Sequence, residues 1–254
     1  MIVLPLYRYI LMAAVRDRLL LSLLLILGVV SSLSLFFGAS SITEQMAFVT
    51  TSAASGFRLF GVASLVLFTV NYIRRSFDAR DVDYLLSRPL GRVSFIVTHA
   101  AAFSTLAIIA AILFGGAIAL FQWKVLHGGI WIWWVSLGAE FIIMANVAMF
   151  FSLFMKSSTA STIVVFGFYL LSRLMGEILG IISVNRNSRF IDALEGVMEF
   201  ISVFLPRLDL MAQTKWIVYG APDNISFGFL AAQCVVFLCV ILGATLIDMN
   251  RRQF

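Results

Sequence analysis

Long apolar runs alternate with shorter polar stretches along most of this chain. A membrane-spanning helix needs about 20 mostly apolar residues, and six runs meet this length: residues 19–39, 55–73, 94–122, 131–154, 158–180 and 226–247. The runs are continuous rather than short and alternating, which favours helices over the strands of a β-barrel. The third run is long enough to tilt or to extend beyond the bilayer. The pattern predicts an all-α integral membrane protein with six transmembrane helices, forming a single transmembrane domain over residues 1–254.

Composition supports this prediction. Hydrophobic residues make up 61% of the chain and charged residues 12%, whereas a soluble domain has about 45–50% and about 25%. The sequence pI is about 9.6, but the basic residues flank the apolar runs instead of forming one basic face, so nucleic-acid binding is not expected. Cys234 and Cys239 lie inside the last run. We interpret them as small buried hydrophobic residues rather than as a disulfide.

The distribution of Lys and Arg predicts the orientation in the membrane. Six spans place both termini on one side, which holds eleven basic residues, whereas the other side holds five. The positive-inside rule therefore predicts that both termini are cytoplasmic. The eleven are Arg8, Arg16, Arg18, Arg74, Arg75, Arg80, Arg88, Arg92, Lys156, Arg251 and Arg252, and the five are Lys124, Arg186, Arg189, Arg207 and Lys215.

Three segments outside the spans differ in character. Residues 1–18 have the pattern of an amphipathic lead-in helix with Pro5 in its first turn, whose basic residues would meet the inner leaflet. Residues 40–54 are expected to form a short polar loop. Residues 183–225 contain a stretch, 189–205, with one polar and one apolar helical face. This predicts an outer amphipathic helix, either lying in the membrane plane or partly re-entrant, or a lid that packs on the bundle.

The most charged stretch runs from Arg74 to Phe95, with five arginines and three aspartates in 22 residues. Val82, Leu85 and Leu86 can share one helical face. The sequence Arg-Pro-Leu-Gly-Arg ends the pattern, because proline disfavours continuation of a helix and glycine frees the backbone. The stretch predicts a short charged helix beneath the bilayer with a few apolar anchors. From the pattern alone, a solvated loop that obeys the positive-inside rule remains an alternative.

Within this stretch, DVDYLLSRPLGR resembles the segment between the second and third transmembrane helices of ABC transporter permeases of the type-2 exporter class. It is most similar to the permeases associated with copper-enzyme maturation systems. The family pattern often continues with Gly-Lys, where this chain has Thr98 and His99. The layout of a lead-in helix, six spans, a charged cytoplasmic segment and outer re-entrant helices is similar as well. The resembling residues are Asp81, Leu85, Leu86, Arg88, Pro89 and Arg92.

The resemblance implies that residues 74–93 form a coupling helix that docks on a separate ATP-binding subunit. Docking would use the residues listed above together with Asp83. The chain has no G-x-x-x-x-G-K-[ST] phosphate loop, so we expect ATP and Mg on the partner and neither a cofactor nor enzymatic activity on this chain. The expected assembly has two ATP-binding subunits and two permease subunits. The second permease is either another copy of this chain or a homologous one. The expected location is the bacterial cytoplasmic (inner) membrane.

By analogy with the family, spans two and five line the translocation path, although ordinary helix packing is an alternative for each candidate. A membrane-embedded enzyme, or a membrane scaffold that anchors a soluble complex without transport, also remains possible for the chain. The candidates for the path are Phe60, Ser64, Phe68, Thr162, Phe166 and Tyr169.

Ionisable residues inside spans are functional candidates by default. Glu140 in span four and Arg173 in span five lie at depths compatible with an interhelical pair. Glu177, one turn from Arg173, competes for it. The pair would either set helix register or act on a substrate directly. Gly115 and Gly116 in span three are interpreted as helix-packing glycines. With two histidines and no H-E-x-x-H motif, a metal site is not expected.

Overall fold

The computed structural model describes residues 3–40, 44–78, 91–123, 128–184, 205–220 and 226–251. These parts of the chain consist of helices and connecting turns, with no strand. Six helices are long and apolar enough to cross a membrane, which confirms the prediction of an all-helical, multi-pass membrane protein. These helices, called spans 1 to 6, are Leu19–Ala39, Gln45–Asp78, Arg92–Phe121, Gly128–Phe154, Ser158–Val184 and Phe227–Arg251.

Two further regions complete the described fold. A helix over Leu4–Arg16 precedes span 1, with Pro5 in its first turn. Between spans 5 and 6, residues 205–220 contain a 3₁₀ turn, Leu208–Leu210, and a short helix, Lys215–Tyr219. We call residues 205–220 the outer segment.

Span 4 lies at the centre of the bundle. It contacts spans 2, 3, 5 and 6, and Trp133, Phe141 and Met144 on it are fully buried. Spans 1 and 6 lie at the periphery, where only 22% and 17% of their most apolar windows are buried within the protein. Their exposed Leu, Val and Phe side chains suit contact with lipid. Polar groups on span 4 are therefore enclosed by protein rather than by hydrocarbon.

One end of the bundle gathers the basic connections. Arg74, near the end of span 2, donates from Nη1 to the carbonyl oxygen of Met155 at 3.0 Å. Arg92, at the start of span 3, donates from Nη1 to the carbonyl oxygen of Met249 at 3.1 Å. The end of span 2, the start of span 3, the turn after span 4 and the end of span 6 therefore lie together. This end is the one that the positive-inside rule predicts to be cytoplasmic.

Span 2 starts earlier than its sequence predicts. The expected loop over residues 40–54 is helical from Gln45 onwards, so the prediction of a loop there is wrong. Thr50 and Thr51 donate their hydroxyls to carbonyl oxygens one turn back, at 2.9 and 2.8 Å, so their polarity is satisfied within the helix. The resulting 34-residue helix is about 51 Å long at ~1.5 Å per residue, which exceeds a hydrocarbon core of ~30 Å.

The N-terminal helix packs along span 3. Leu6 and Ile10 are buried on the side facing the bundle, whereas Met12 is 72% exposed. The Tyr7 hydroxyl forms a hydrogen bond of 2.8 Å with the hydroxyl of Thr105. The helix therefore rests on the bundle and presents its other side outwards.

The two cysteines are free thiols. Cys239 is exposed on the surface of span 6 and Cys234 is only partly buried, so the prediction that both are buried is wrong. An apolar run in a peripheral span does not show which of its positions face the bundle.

Candidate functional site: a buried polar cluster beneath the outer segment

Two arginines inside the spans bind the backbone of the outer segment. Arg173 of span 5 donates from Nη1 to the carbonyl oxygens of Leu208 and Met211, the latter at 2.8 Å. Arg58 of span 2 donates from Nη1 to the carbonyl oxygen of Ala212 at 2.9 Å. A peptide carbonyl outside a regular helix needs a donor when it is buried, and here guanidinium groups provide it.

Side chains from spans 4 and 6 bind the same stretch of backbone. Trp133 donates from Nε1 to the carbonyl oxygen of Ala212 at 3.2 Å, and the amide of Ala212 donates to Oγ of Ser136 at 3.0 Å. Gln233 of span 6 donates from Nε2 to the carbonyl oxygen of Arg207 at 3.3 Å. Ala212 has φ of 44°, a left-handed conformation that disfavours alanine. Arg58, Trp133 and Ser136 all bind the backbone of Ala212 and thus hold this strained residue in place.

The side chains of the outer segment complete its attachment to the bundle. Leu208, Met211, Trp216 and Ile217 are fully buried. Residues 205–220 therefore pack on the bundle. The predicted amphipathic helix over 189–205 lies outside the described residues, except for Leu205, and remains a prediction.

Glu140 lies within the bundle beneath these contacts. It is fully buried, and the Tyr169 hydroxyl donates to its Oε1 at 3.0 Å. Nη1 of Arg173 lies 3.4 Å from its Oε2, so the structure shows the interhelical pair of Glu140 and Arg173. Glu177, the expected competitor, is exposed. Arg58 also lies within electrostatic range of Glu140 and Tyr169.

The cluster therefore has two guanidinium groups and one carboxylate among its described residues. A buried charge is costly unless hydrogen bonds and an opposite charge compensate for it. Here the backbone carbonyls of the outer segment supply much of that compensation. Arg207 and Asp209 form a separate pair at 2.9 Å within the outer segment, so Asp209 already has a cationic partner.

Most of the predicted coupling residues cannot be placed. Arg92 begins span 3 and donates to Met249, as described above. Residues 79–90 lie outside the described part of the chain, and so the following remain predictions: Asp81, Asp83, Leu85, Leu86, Arg88 and Pro89.

The candidates for a translocation path on span 2 have three different surroundings. Phe60 is 49% exposed. Ser64 forms a hydrogen bond of 2.9 Å with Ser22 of span 1. Phe68 is buried against other aromatic rings, Tyr72 among them. A shared path surface on span 2 remains a prediction.

The candidates on span 5 also differ. Thr162 and Phe166 are partly buried, and Thr162 donates its hydroxyl to the carbonyl oxygen of Ser158 at 2.9 Å. Tyr169 is buried and bonds to Glu140. Tyr169 thus belongs to the polar cluster, and the role of all three in a path remains a prediction.

Sequence reasoning missed four members of the site. They are Arg58, Trp133, Ser136 and Gln233. A guanidinium and a carboxamide inside apolar runs are rare enough to serve as signals. Their partners could not be found, because a backbone carbonyl has no signature in the sequence.

The fold and the cluster define the class of this protein. It is an all-helical, multi-pass membrane protein whose outer segment is anchored to the spans by buried and partly buried polar and charged side chains. Comparison of the chain with models of protein families and with the sequences of curated proteins gives no match. Within the described residues, no group of three or more His, Cys, Asp or Glu side chains could hold a metal ion.

Proposed function

We propose that this protein is the transmembrane permease subunit of an ATP-driven ABC exporter of the type-2 class. It works in the bacterial cytoplasmic membrane, as a dimer with itself or with a homologous permease. Two separate ATP-binding subunits carry the ATP and Mg. The proposal starts from the resemblance of residues 81–92 to the coupling segment of such permeases and from the six spans of the bundle.

The observation that carries the proposal is the anchoring of both flanks of the charged segment. The segment continues directly into spans 2 and 3, and its flanking arginines, Arg74 and Arg92, bind Met155 and Met249. A displacement of the segment would therefore act on spans 2 and 3 directly, and on spans 4 and 6 through these two hydrogen bonds. A contiguous physical connection of this kind can carry coupling between two sites.

Span 2 extends this connection to the other end of the bundle. Arg58 and Arg74 lie on the same uninterrupted helix, 16 residues and so about 24 Å apart at ~1.5 Å per residue. One arginine holds the outer segment and the other holds the turn after span 4. A rigid-body movement of span 2 would change both contacts together, as an alternating-access transporter requires.

The arrangement favours transport over the other two functions. Glu140 accepts a hydrogen bond from the Tyr169 hydroxyl and forms an ion pair with Arg173 at 3.4 Å, which does not suit a membrane-embedded enzyme that needs a free general base. A scaffold would need neither the connection along span 2 nor an anchored outer segment.

Charge reversal in the segment tests the proposal. Asp81→Lys/Asp83→Lys and, separately, Leu85→Glu should release the ATP-binding subunit, because a change at a buried dock costs about 2–5 kcal/mol, or roughly 30- to 5,000-fold in affinity. The measurements are co-purification of the proposed ATP-binding subunit with this chain and the ATPase activity of the complex. Glu44→Lys, at the opposite end of the bundle, is the control and should retain the complex.

Two results would contradict the proposal. Full complex formation and full ATPase activity in both variants would mean that the segment is a solvated loop. A complex that hydrolyses ATP without any nucleotide-dependent change at the outer segment would instead indicate a scaffold.

A further inference from the structure

Arg173 divides its hydrogen bonds unequally between its partners. Its Nη1 reaches Leu208 and Met211 at short range, whereas Oε2 of Glu140 lies 3.4 Å away. The ion pair is thus the longest of the three contacts. Glu140 receives its shorter hydrogen bond from a neutral group, the Tyr169 hydroxyl at 3.0 Å. The buried carboxylate therefore lies next to a guanidinium group that is directed mainly at the outer segment.

Arg58 shows the same preference. Its Nη1 donates to the carbonyl oxygen of Ala212 at 2.9 Å, although Glu140 lies within electrostatic range. The Nε atom of Arg58 is buried without a partner among the described residues. Arg58 lies on span 2, Arg173 on span 5 and Glu140 on span 4. A carboxylate offers about four acceptor positions, so Glu140 can accept from more donors than it does here.

Departure of the outer segment would remove the carbonyl partners of both arginines at once. An unpaired guanidinium inside a protein is strongly unfavourable. Glu140 is the anionic side chain of the cluster, lies 3.4 Å from Arg173 and is within electrostatic range of Arg58. Turning each guanidinium from a backbone carbonyl towards this carboxylate would keep the charges compensated.

We propose that Glu140 is a positioning residue that receives the guanidinium groups of Arg58 and Arg173 when the outer segment leaves. In the closed state the arginines bind the carbonyls of residues 208, 211 and 212, and in the open state they bind Glu140. This exchange lowers the free energy needed for opening. The inference rests on the proposed function only in treating the outer segment as the outer closure of a transport path, because the exchange itself needs no other subunit.

A static role for Glu140 makes the opposite prediction. If Glu140 only aligned Arg173 for the carbonyls, Glu140→Gln would loosen the outer segment and make opening more frequent. Under the exchange, Glu140→Gln removes the charge that receives the arginines and makes opening rarer. Glutamine preserves the size of the side chain and an acceptor for Tyr169, so the substitution changes mainly the charge.

Opening is measured through a buried position of the outer segment. Met211 is fully buried and Tyr219 is 82% exposed. Each is replaced by cysteine in a Cys234→Ala/Cys239→Ala background, and the protein is reconstituted in lipid nanodiscs so that both faces meet the reagent. The rate of reaction with a hydrophilic maleimide at Met211→Cys reports opening. Tyr219→Cys is the matched control for access of the reagent.

The expected result is slower labelling of Met211→Cys in the Glu140→Gln variant, by roughly 10- to 100-fold, the size of one hydrogen bond to a charged group. Labelling of Tyr219→Cys should be unchanged. Arg58→Gln should speed labelling of Met211→Cys, because it removes a contact that holds the segment closed. Unchanged or faster labelling of Met211→Cys in Glu140→Gln overturns the exchange.

Two further arms make the outcome decisive. If Glu140→Gln does not give folded protein, the same comparison is made between Arg58→Gln and Arg58→Gln/Glu140→Gln, where slower labelling in the double variant is again expected. Adding the ATP-binding subunit and ATP then tests the proposed function separately. If that function is wrong, ATP leaves the labelling rate unchanged while the effect of Glu140→Gln persists.

Discussion

Four arginines of this protein bind backbone carbonyls of other helices or of the outer segment. Arg58 and Arg173 do so at the outer segment, and Arg74 and Arg92 do so at the opposite end. Met155 directly follows the last helical residue of span 4, and Met249 lies in the last turn of span 6. The last carbonyls of a helix have no partner within it and carry the negative end of its dipole. Arginines can thus join helix ends through backbone carbonyls.

Two adjacent glycines of span 3, Gly115 and Gly116, differ in the space that surrounds them. A Cβ at Gly115 would overlap the indole of Trp134, whereas a Cβ at Gly116 meets nothing within 4 Å. The indole is also fixed, because it donates from Nε1 to the carbonyl oxygen of Ala111 at 2.8 Å. Gly115→Ala should therefore lower the free energy of unfolding by about 1–3 kcal/mol through overpacking.

The neighbouring substitution is the control. Gly116→Ala should be neutral or stabilise the protein by up to about 1 kcal/mol, because alanine favours the helix. The measurement is the midpoint of thermal unfolding of the purified protein in detergent. Equal midpoints for the two variants would contradict this account of Gly115.

Among the elements, the N-terminal helix has apolar side chains on two sides with different surroundings. Leu6, Ile10 and Ala14 face span 3 and the bundle, whereas Met12 and Val15 are exposed. Such a helix can rest on the protein with one side and meet the lipid interface with the other. Its hydrogen bond from Tyr7 to Thr105 sets its position along span 3.

Shortening one side chain on each side of the N-terminal helix tests whether the two sides differ in their contribution to stability. Ile10→Ala should destabilise the protein by about 2–5 kcal/mol, because it leaves a cavity in a packed interface. Met12→Ala removes a side chain that is 72% exposed and should change stability by less than about 0.5 kcal/mol. Limited proteolysis of the N-terminal helix, together with thermal unfolding, measures both effects. A larger loss in Met12→Ala than in Ile10→Ala would mean that the helix docks through its other side.

For the whole molecule, the two ends of the bundle carry different features. One end gathers Arg74, Arg92 and the ends of spans 4 and 6, and the other end carries the outer segment. The excess of Lys and Arg at the first end predicts that it is cytoplasmic. The proposed coupling segment and the proposed outer closure would then lie on opposite sides of the membrane.

Two exposed positions test this topology. Val93, at the start of span 3, is 52% exposed and Tyr219 is 82% exposed. Single cysteines at these positions, in the background without Cys234 and Cys239, should differ in intact cells: an impermeant maleimide should label Tyr219→Cys but not Val93→Cys. Permeabilised cells provide the control, in which both should react. Labelling of both in intact cells would contradict the topology.

The sequence alone was sufficient for the number of spans. Span number follows from the length of apolar runs, which is a local property set by the thickness of the bilayer. For Glu140 the sequence showed only a depth compatible with that of Arg173, and Glu177 remained a competitor for the arginine. The structure decided the pairing, because it places Arg173 and Glu140 3.4 Å apart. The start of span 2 was missed, because the Thr50 and Thr51 hydroxyls that suggested a loop bind the backbone of their own helix.

Only the tertiary structure decided how the outer segment is held. The contact between Arg58 and Ala212 joins residues 154 positions apart, and every residue of the chain offers a carbonyl that could have taken its place. Which carbonyl is free depends on where a helix ends or the backbone turns, and which arginine reaches it depends on how spans 2, 4 and 5 pack. Burial of Leu208 and Trp216 follows from the same packing, because a short apolar stretch is equally compatible with lipid, water-facing loops and a bundle interior until the neighbouring helices are in place.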